Sequence, residues 1–342
     1  MTARGAAPLA ISLGDPAGIG PELICEAWVQ RETAGLPPFF VMGGAGLLAD
    51  AARTRGLALP VAPIHTPEAA GNCFAEALPV LGALDAEYRP GRSTPEGARL
   101  AHDSLRAATA LAIEGRTAAL VTGPVAKSEL AAIGFAFPGQ TEFVAAACGV
   151  AAEDAVMLLA GPQLRTVPLT VHVALAEVPG LLSIELVCRR ARVVARAMAI
   201  DFGIARPRLA LTGLNPHAGE DGRMGREEIA IIAPAIALLR QEGIDASGPY
   251  PADSLFAPHA RGGYDVAIAM YHDQALVPIK ALDFDAGVNM TLGLPIVRTS
   301  PDHGTAFGIA GSGTASAGAM IAAIRMAGEC SARRAAAQFR LS

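Results

Sequence analysis

Six short runs rich in β-forming residues recur along the chain: Pro8–Leu13, Pro38–Gly43, Ala118–Thr122, Arg165–Leu169, Arg208–Leu214 and Asp265–Met270. The alanine-rich stretches between them, among them Glu96–Glu114, Leu182–Phe202 and Glu227–Glu242, repeat apolar residues at three and four positions, the period of an amphipathic helix. Strands that alternate with helices of this length are joined by crossovers, which confines the chain to the α/β class with a largely parallel sheet. At 342 residues and 52% hydrophobic, the chain exceeds what one ordinary core holds, so two packed lobes are expected. No internal repeat or low-complexity linker appears, which implies that the lobes share segments.

A formal charge of −5 without a block of like charges argues against a nucleic-acid partner or an acidic membrane surface, because either needs a basic face. A small molecule is the expected partner. The five cysteines (Cys25, Cys73, Cys148, Cys188 and Cys330) lie far apart with no C-x-x-C pair, which fits a reducing, cytoplasmic compartment better than a disulfide framework. Met1–Ser12 has no apolar core of a signal peptide. His303–Ile324 carries no Asp, Glu, Lys or Arg, yet it holds Gly304, Gly308, Gly311, Gly313 and Gly318 and reads as a glycine-rich loop followed by a buried helix rather than a membrane span.

Polar, glycine-rich turns follow several of the strands, where open α/β sheets place their ligands. Gly14-Asp15-Pro16-Ala17-Gly18-Ile19-Gly20-Pro21-Glu22 follows the first and is neither G-x-G-x-x-G nor a P-loop, so it reads equally well as a structural turn. Thr122-Gly123-Pro124-Val125-Ala126-Lys127 and Pro138-Gly139-Gln140-Thr141-Glu142 are turns suited to anions. Of 27 basic residues only Lys127 and Lys280 are lysines, which marks Lys280 for work that needs a tunable ammonium.

His172, His217 and His272 each lie on or just after a predicted strand. Three neutral imidazoles can form an open metal site, although spacing alone favours three unrelated structural histidines. His65, His102 and His259 have no comparable setting. Lys280, Asn289 and Arg298, with Thr291 and Asp302 nearby, could cradle a phosphate or carboxylate, against a default reading as solvated charges.

In order along the chain, Gly14–Glu22, Thr122-Gly123-Pro124, Asn215-Pro216-His217-Ala218-Gly219-Glu220, Tyr271-His272-Asp273-Gln274 and Gly287-Val288-Asn289-Met290-Thr291-Leu292-Gly293-Leu294-Pro295 resemble the 4-hydroxythreonine-4-phosphate dehydrogenase family of pyridoxal phosphate biosynthesis. Asp302-His303-Gly304-Thr305-Ala306 with Ile309-Ala310-Gly311-Ser312-Gly313 resembles the adenine-side cofactor loop of isocitrate and isopropylmalate dehydrogenases. The resemblance implies a two-lobed, non-Rossmann α/β fold of the isocitrate/isopropylmalate dehydrogenase kind with its active site in a cleft. The cofactor-side lobe would comprise 1–130 plus 283–342, and the metal-binding and dimerisation lobe 131–282.

It further implies a homodimer that oxidises and decarboxylates 4-phosphooxy-L-threonine to 3-amino-2-oxopropyl phosphate with NAD or NADP and one divalent ion (zinc, cobalt, manganese or magnesium). By resemblance the metal ligands are His172, His217 and His272; the substrate residues are Gln140, Thr141, Lys280, Asn289 and Arg298; the cofactor residues are His303, Gly304, Thr305 and Gly311; and Lys280 and Asp253 are the candidate bases. The family usually shows His-Thr where this chain has Gln140-Thr141, and Gln cannot carry positive charge. Related substrates therefore stay open: 4-phospho-D-threonate or erythronate, or a cis-dihydrodiol dicarboxylate. A phosphate acyltransferase is the alternative from another enzyme class, and a non-catalytic dimeric binding protein is the alternative outside enzymes.

Overall fold

The computed structural model describes residues 7–339; the N-terminal reading of Met1–Ser12 falls partly on residues 1–6, outside the described residues. The strands, in chain order, are β1 (Leu9–Ser12), β2 (Phe39–Met42), β3 (Val61–Ile64), β4 (Leu78–Leu81), β5 (Leu120–Thr122), β6 (Val156–Ala160), β7 (Arg165–Pro168), β8 (Arg208–Thr212), β9 (Asp245–Tyr250), β10 (Val266–Ala269), β11 (Val288–Leu292) and β12 (Arg298–Pro301). All six expected strands are present. The chain divides into two compact units, residues 1–150 with 294–332, and residues 151–293 with 333–342.

The first unit carries the strand order β3-β4-β2-β1-β5-β12, with every pairing parallel. β1 and β2 are buried along their whole length, as parallel strands covered on both faces must be. Phe39 meets Phe74 edge-on with ring centroids 4.9 Å apart, and the Trp28 indole nitrogen donates to the Phe74 carbonyl. The helix Pro95–Ile113 is capped by Thr94, whose hydroxyl accepts from the Gly97 amide, with Pro95 in the first turn.

The second unit carries β11-β6-β7-β10-β8-β9. β7, β10, β8 and β9 are parallel, whereas β6 pairs antiparallel with both β7 and β11. Its core includes Leu159, Leu164, Ala267, Tyr264 and Ile279.

The two compact units differ in their bounds from the expected lobes at three places, one of them the segment from Arg333, which goes with the second unit. Residues 131–150 go with the first unit, because Phe135 and Phe143 pack with His102 of the helix Pro95–Ile113, at ring separations of 5.6 and 6.1 Å. Residues 283–293 go with the second, because β11 is hydrogen-bonded along its length to β6. The stretch His303–Ile324 is a loop that leads into the helix Gly318–Phe339, and among the described residues no helix is long and apolar enough to cross a membrane.

Candidate active site

In the second unit the expected metal ligands lie beyond the carboxyl ends of three neighbouring parallel strands: His172 after β7, His272 after β10 and His217 after β8. Side chains latch these ends together. The Thr170 hydroxyl donates to the Met270 carbonyl at 2.9 Å, and Gln274 Oε1 accepts from the Met270 amide and from the Thr212 hydroxyl, both at 2.7 Å. Gln274 Nε2 donates to the Gly213 carbonyl at 2.8 Å, so one amide spans the ends of β10 and β8.

The rings of His172 and His272 stand 5.9 Å apart at an interplanar angle of 42°, beside a space of about 250 Å³ lined also by Thr170, Val178, Tyr271 and Asp273. Asp273 Oδ1 lies 2.7 Å from His272 Nδ1, an arrangement that fixes the ring and leaves Nε2 as its outward donor. His172 itself adopts the left-handed conformation, with φ 54°.

His217 is exposed on an unusual support: His217, Ala218, Gly219, Glu220 and Asp221 all have positive φ, a left-handed turn following Pro216. Among the described residues no three His, Cys, Asp or Glu side chains converge closely enough to hold a metal, so the structure pairs His172 with His272 and sets His217 on the adjacent strand end without closing the set. The donor chemistry nonetheless fits a divalent ion of the later transition series, with accessible imidazoles beyond the ends of neighbouring strands and a carboxylate orienting one of them.

Of the other residues expected here, Lys280 lies half-buried on the helix His272–Asp283 and Asn289 lies on β11. The Asn289 side-chain oxygen is buried and accepts no hydrogen bond among the described residues. Asp253 is exposed in the first turn of the short helix Ala252–Leu255.

In the first unit Arg298 opens β12 beside β5 and is 4% exposed. Its guanidinium donates to the Thr122 hydroxyl at 2.8 Å and to the Thr141 hydroxyl at 3.2 Å. Burial drives its pKa down to about 10, against the pull of Glu142. Gln140 Nε2 donates to the Gly123 carbonyl at 3.0 Å, while its Oε1 is buried without a donor among the described residues. Gln140, Thr141 and Arg298 thus converge where the turn after β5 meets the first turn of the helix Gln140–Ala147.

The loop expected to hold the cofactor rests on the first glycine-rich turn. The Ile19 amide donates to the Thr305 carbonyl at 2.9 Å, and a Cβ on Gly18 would lie 2.8 Å from that oxygen. The Gly311 amide donates to Glu22 Oε1 at 3.2 Å, and Arg55 binds Glu22 at 3.2 Å, reaches Glu26, and donates to the Ala315 carbonyl at 2.6 Å. His303 Nδ1 lies 3.0 Å from the Gly304 carbonyl, and its Nε2 is buried with no partner among the described residues. Glu22 and Gln274 stand inside motifs visible in the sequence but carry no pattern naming their task; Arg55 carries no sequence signal at all.

Two α/β units, each with polar turns beyond the carboxyl ends of parallel strands, have the architecture of α/β enzymes, which bind their ligands at such strand ends. The family model for the pyridoxal phosphate biosynthetic protein PdxA matches residues 36–327, and the chain belongs to that family. It is similar to the 4-hydroxythreonine-4-phosphate dehydrogenase of Erythrobacter litoralis, at 62% identity over 96% of this chain and 98% of that one. Among solved structures, the 4-hydroxythreonine-4-phosphate dehydrogenase of Klebsiella pneumoniae matches with a TM-score of 0.83 at 37% identity, covering 96% of this chain and 98% of that one. A terephthalate 1,2-cis-dihydrodiol dehydrogenase from Burkholderia xenovorans matches with a TM-score of 0.64 at 32% identity, covering 94% of this chain and 97% of that one.

Proposed function

We propose that this chain catalyses the NAD(P)-dependent oxidation and decarboxylation of 4-phosphooxy-L-threonine to 3-amino-2-oxopropyl phosphate and carbon dioxide. The observation that carries this reading is the full-length likeness to a 4-hydroxythreonine-4-phosphate dehydrogenase at 62% identity, against 32% for the dihydrodiol dehydrogenase. That contrast, and membership of the family, also leave the phosphate acyltransferase reading and a non-catalytic binding role without support.

In the first unit, Arg298 with Thr141 and Gln140 would bind the phosphate. Buried in a low-dielectric setting, the guanidinium is a strong site for an anion. Gln140 contributes an amide that can donate but carries no charge. The loop of His303, Gly304, Thr305 and Gly311 would hold the cofactor, its backbone braced by Ile19 and Glu22.

In the second unit, His172, His217 and His272 would hold a divalent ion. Such an ion, when bound, supplies Lewis-acid polarisation of a hydroxyl and then of a carbonyl oxygen, and a nicotinamide cofactor supplies a hydride acceptor. Asn289 offers its buried carbonyl oxygen to a donor on the substrate, and Lys280 or Asp253 would take the hydroxyl proton as hydride leaves the same carbon.

A homodimer accords with the apolar surface of the second unit, where Phe284 is 74% exposed, Leu175 65% and Val277 64%. A cytoplasmic setting accords with five free cysteines.

The test is the rate of NAD or NADP reduction by purified protein with 4-phosphooxy-L-threonine, with and without a chelator, beside phospho-threonate, phospho-erythronate and a cis-dihydrodiol dicarboxylate. Chelator-sensitive turnover of the amino acid is expected; turnover of another substrate alone would overturn the substrate assignment.

A further inference from the structure

The turn that carries His217 runs through a costly left-handed conformation. For L-residues each position in this conformation costs roughly 1–2 kcal/mol, and four of the five consecutive residues here, His217, Ala218, Glu220 and Asp221, are not glycine. Around the turn the amides of Ala218, Arg223 and Met224 donate to the carbonyls of Asn215, Glu220 and Gly219, and the Arg223 amide is shared with the Gly219 carbonyl. A side chain from outside fastens the turn as well.

That group is Glu228, which is 3% exposed. Its Oε1 accepts from the amides of both Leu214 and Asn215 at 2.8 Å, and its Oε2 accepts from Asn215 Nδ2 at 3.0 Å. The second hydrogen of that amide goes to Glu227 Oε2 at 2.7 Å. The carboxylate therefore gathers Leu214 and Asn215, the two residues that lead from β8 into the turn. It also presses on the turn from beneath: a Cβ on Gly219 would stand 2.5 Å from Glu228 Oε2, so the backbone passes over the carboxylate only because residue 219 has no side chain. Glu228 opens a π-helical segment, Glu228–Ile232, ahead of the helix Ala233–Gln241. Such a widened turn inserts a residue into the helical register and often marks a functional place.

We infer that Glu228 is a positioning residue for His217: its buried carboxylate locks the left-handed turn and so sets where the imidazole projects. This rests on the reading of His217 as a metal ligand. A residue acting at this remove characteristically changes metal affinity 10- to 100-fold, and Glu228 would act through the backbone rather than through the ring.

The experiment uses the full-length protein and cobalt(II) as probe, with binding followed by titration and by the visible absorption of the bound ion, and with amide hydrogen exchange read over residues 212–226. Glu228→Ala removes the acceptor for both amides. It is expected to weaken cobalt binding about 10- to 100-fold, to alter the absorption band, and to speed exchange at Leu214 and Asn215, while circular dichroism stays that of the wild type. Glu228→Gln keeps one acceptor but turns a donor toward Asn215 Nδ2, so it should show a smaller change in the same direction, and it serves if the alanine variant fails to fold. His217→Ala is the control. If it weakens cobalt binding and both Glu228 variants bind like the wild type, the inference is overturned. If His217→Ala itself binds normally, the ligand reading falls, and exchange at Leu214 and Asn215 alone decides: wild-type protection in the Glu228 variants overturns the lock, and lost protection upholds it.

Discussion

Gln274 Oε1 stands 2.7 Å from the hydroxyl of Thr212, so a residue one turn into the helix after β10 is bonded to the last residue of β8. With the Met270 amide on the same oxygen and the Gly213 carbonyl on the nitrogen, the side chain uses both ends of its amide to keep two loops in step.

Gln274→Ala should therefore lower stability by about 1–3 kcal/mol, because it strands partly buried backbone groups rather than an exposed side chain. Urea denaturation measures this directly. A loss within the scatter of ordinary surface substitutions would show that the latch is replaced by water.

Arg298→Ala should raise the Michaelis constant for a phosphorylated substrate by about 10- to 100-fold, the worth of hydrogen bonds from a charged donor. The constant for NAD should barely move, because the loop of His303–Gly311 rests on Ile19 and Glu22 and not on Arg298. Steady-state kinetics with each substrate varied in turn checks it; equal rises in both constants would refute a phosphate role.

Gly18→Ala places a methyl group 2.8 Å from the Thr305 carbonyl oxygen and 3.0 Å from its Cβ. Relief requires moving the loop, at about 1–3 kcal/mol. The expected result is a lower melting temperature together with weaker NAD binding by calorimetry, and an unchanged affinity would remove this loop from the cofactor's site.

Asp265 gives a pH signature. Its carboxyl is held below the ordinary 3.8 by hydrogen bonds from the Arg208 side chain and backbone amide. A depressed carboxylate contributes stability above its unfolded value and loses it as pH falls through the folded one. Arg208→Ala should thus cost about 0.2–1 kcal/mol near pH 6, the range for a partly exposed pair. That cost should fade once pH is taken well below 3.8, as denaturation at both pH values would reveal.

The sequence exposed six of the strands, because Leu, Ile, Val and Phe runs bounded by turns announce themselves. It passed over β3, β4, β6, β9, β11 and β12. β9 reads Asp-Ala-Ser-Gly-Pro-Tyr and β12 Arg-Thr-Ser-Pro, strands held by their neighbours rather than by their own composition. The antiparallel pairing of β6 with β11 was not legible either, since no local pattern says that Val288–Leu292 lies against Val156–Ala160. Among the candidate site residues, the strand-end settings of the three histidines and the apolar run before Arg298 drew notice, but spacing alone favoured unrelated structural histidines, and their reading as metal ligands came from the family resemblance. Glu228 was hidden, because a glutamate at the head of a helical pattern looks like any favourable first-turn charge, and only the bonds it makes to Leu214 and Asn215 reveal its purpose.

The two strands nearest the chain's end complete different units: β11 covers the flank of β6, and β12 covers the flank of β5. A nascent chain leaving the ribosome accordingly has the strands of neither unit complete until residues near 300 emerge. Through most of synthesis β5 and β6 present bare hydrogen-bonding edges, the kind of template that recruits stray strands. Production of this protein should depend on chaperone supply and elongation speed, and shortening the chain before Val288 should yield inclusion bodies rather than a functional half.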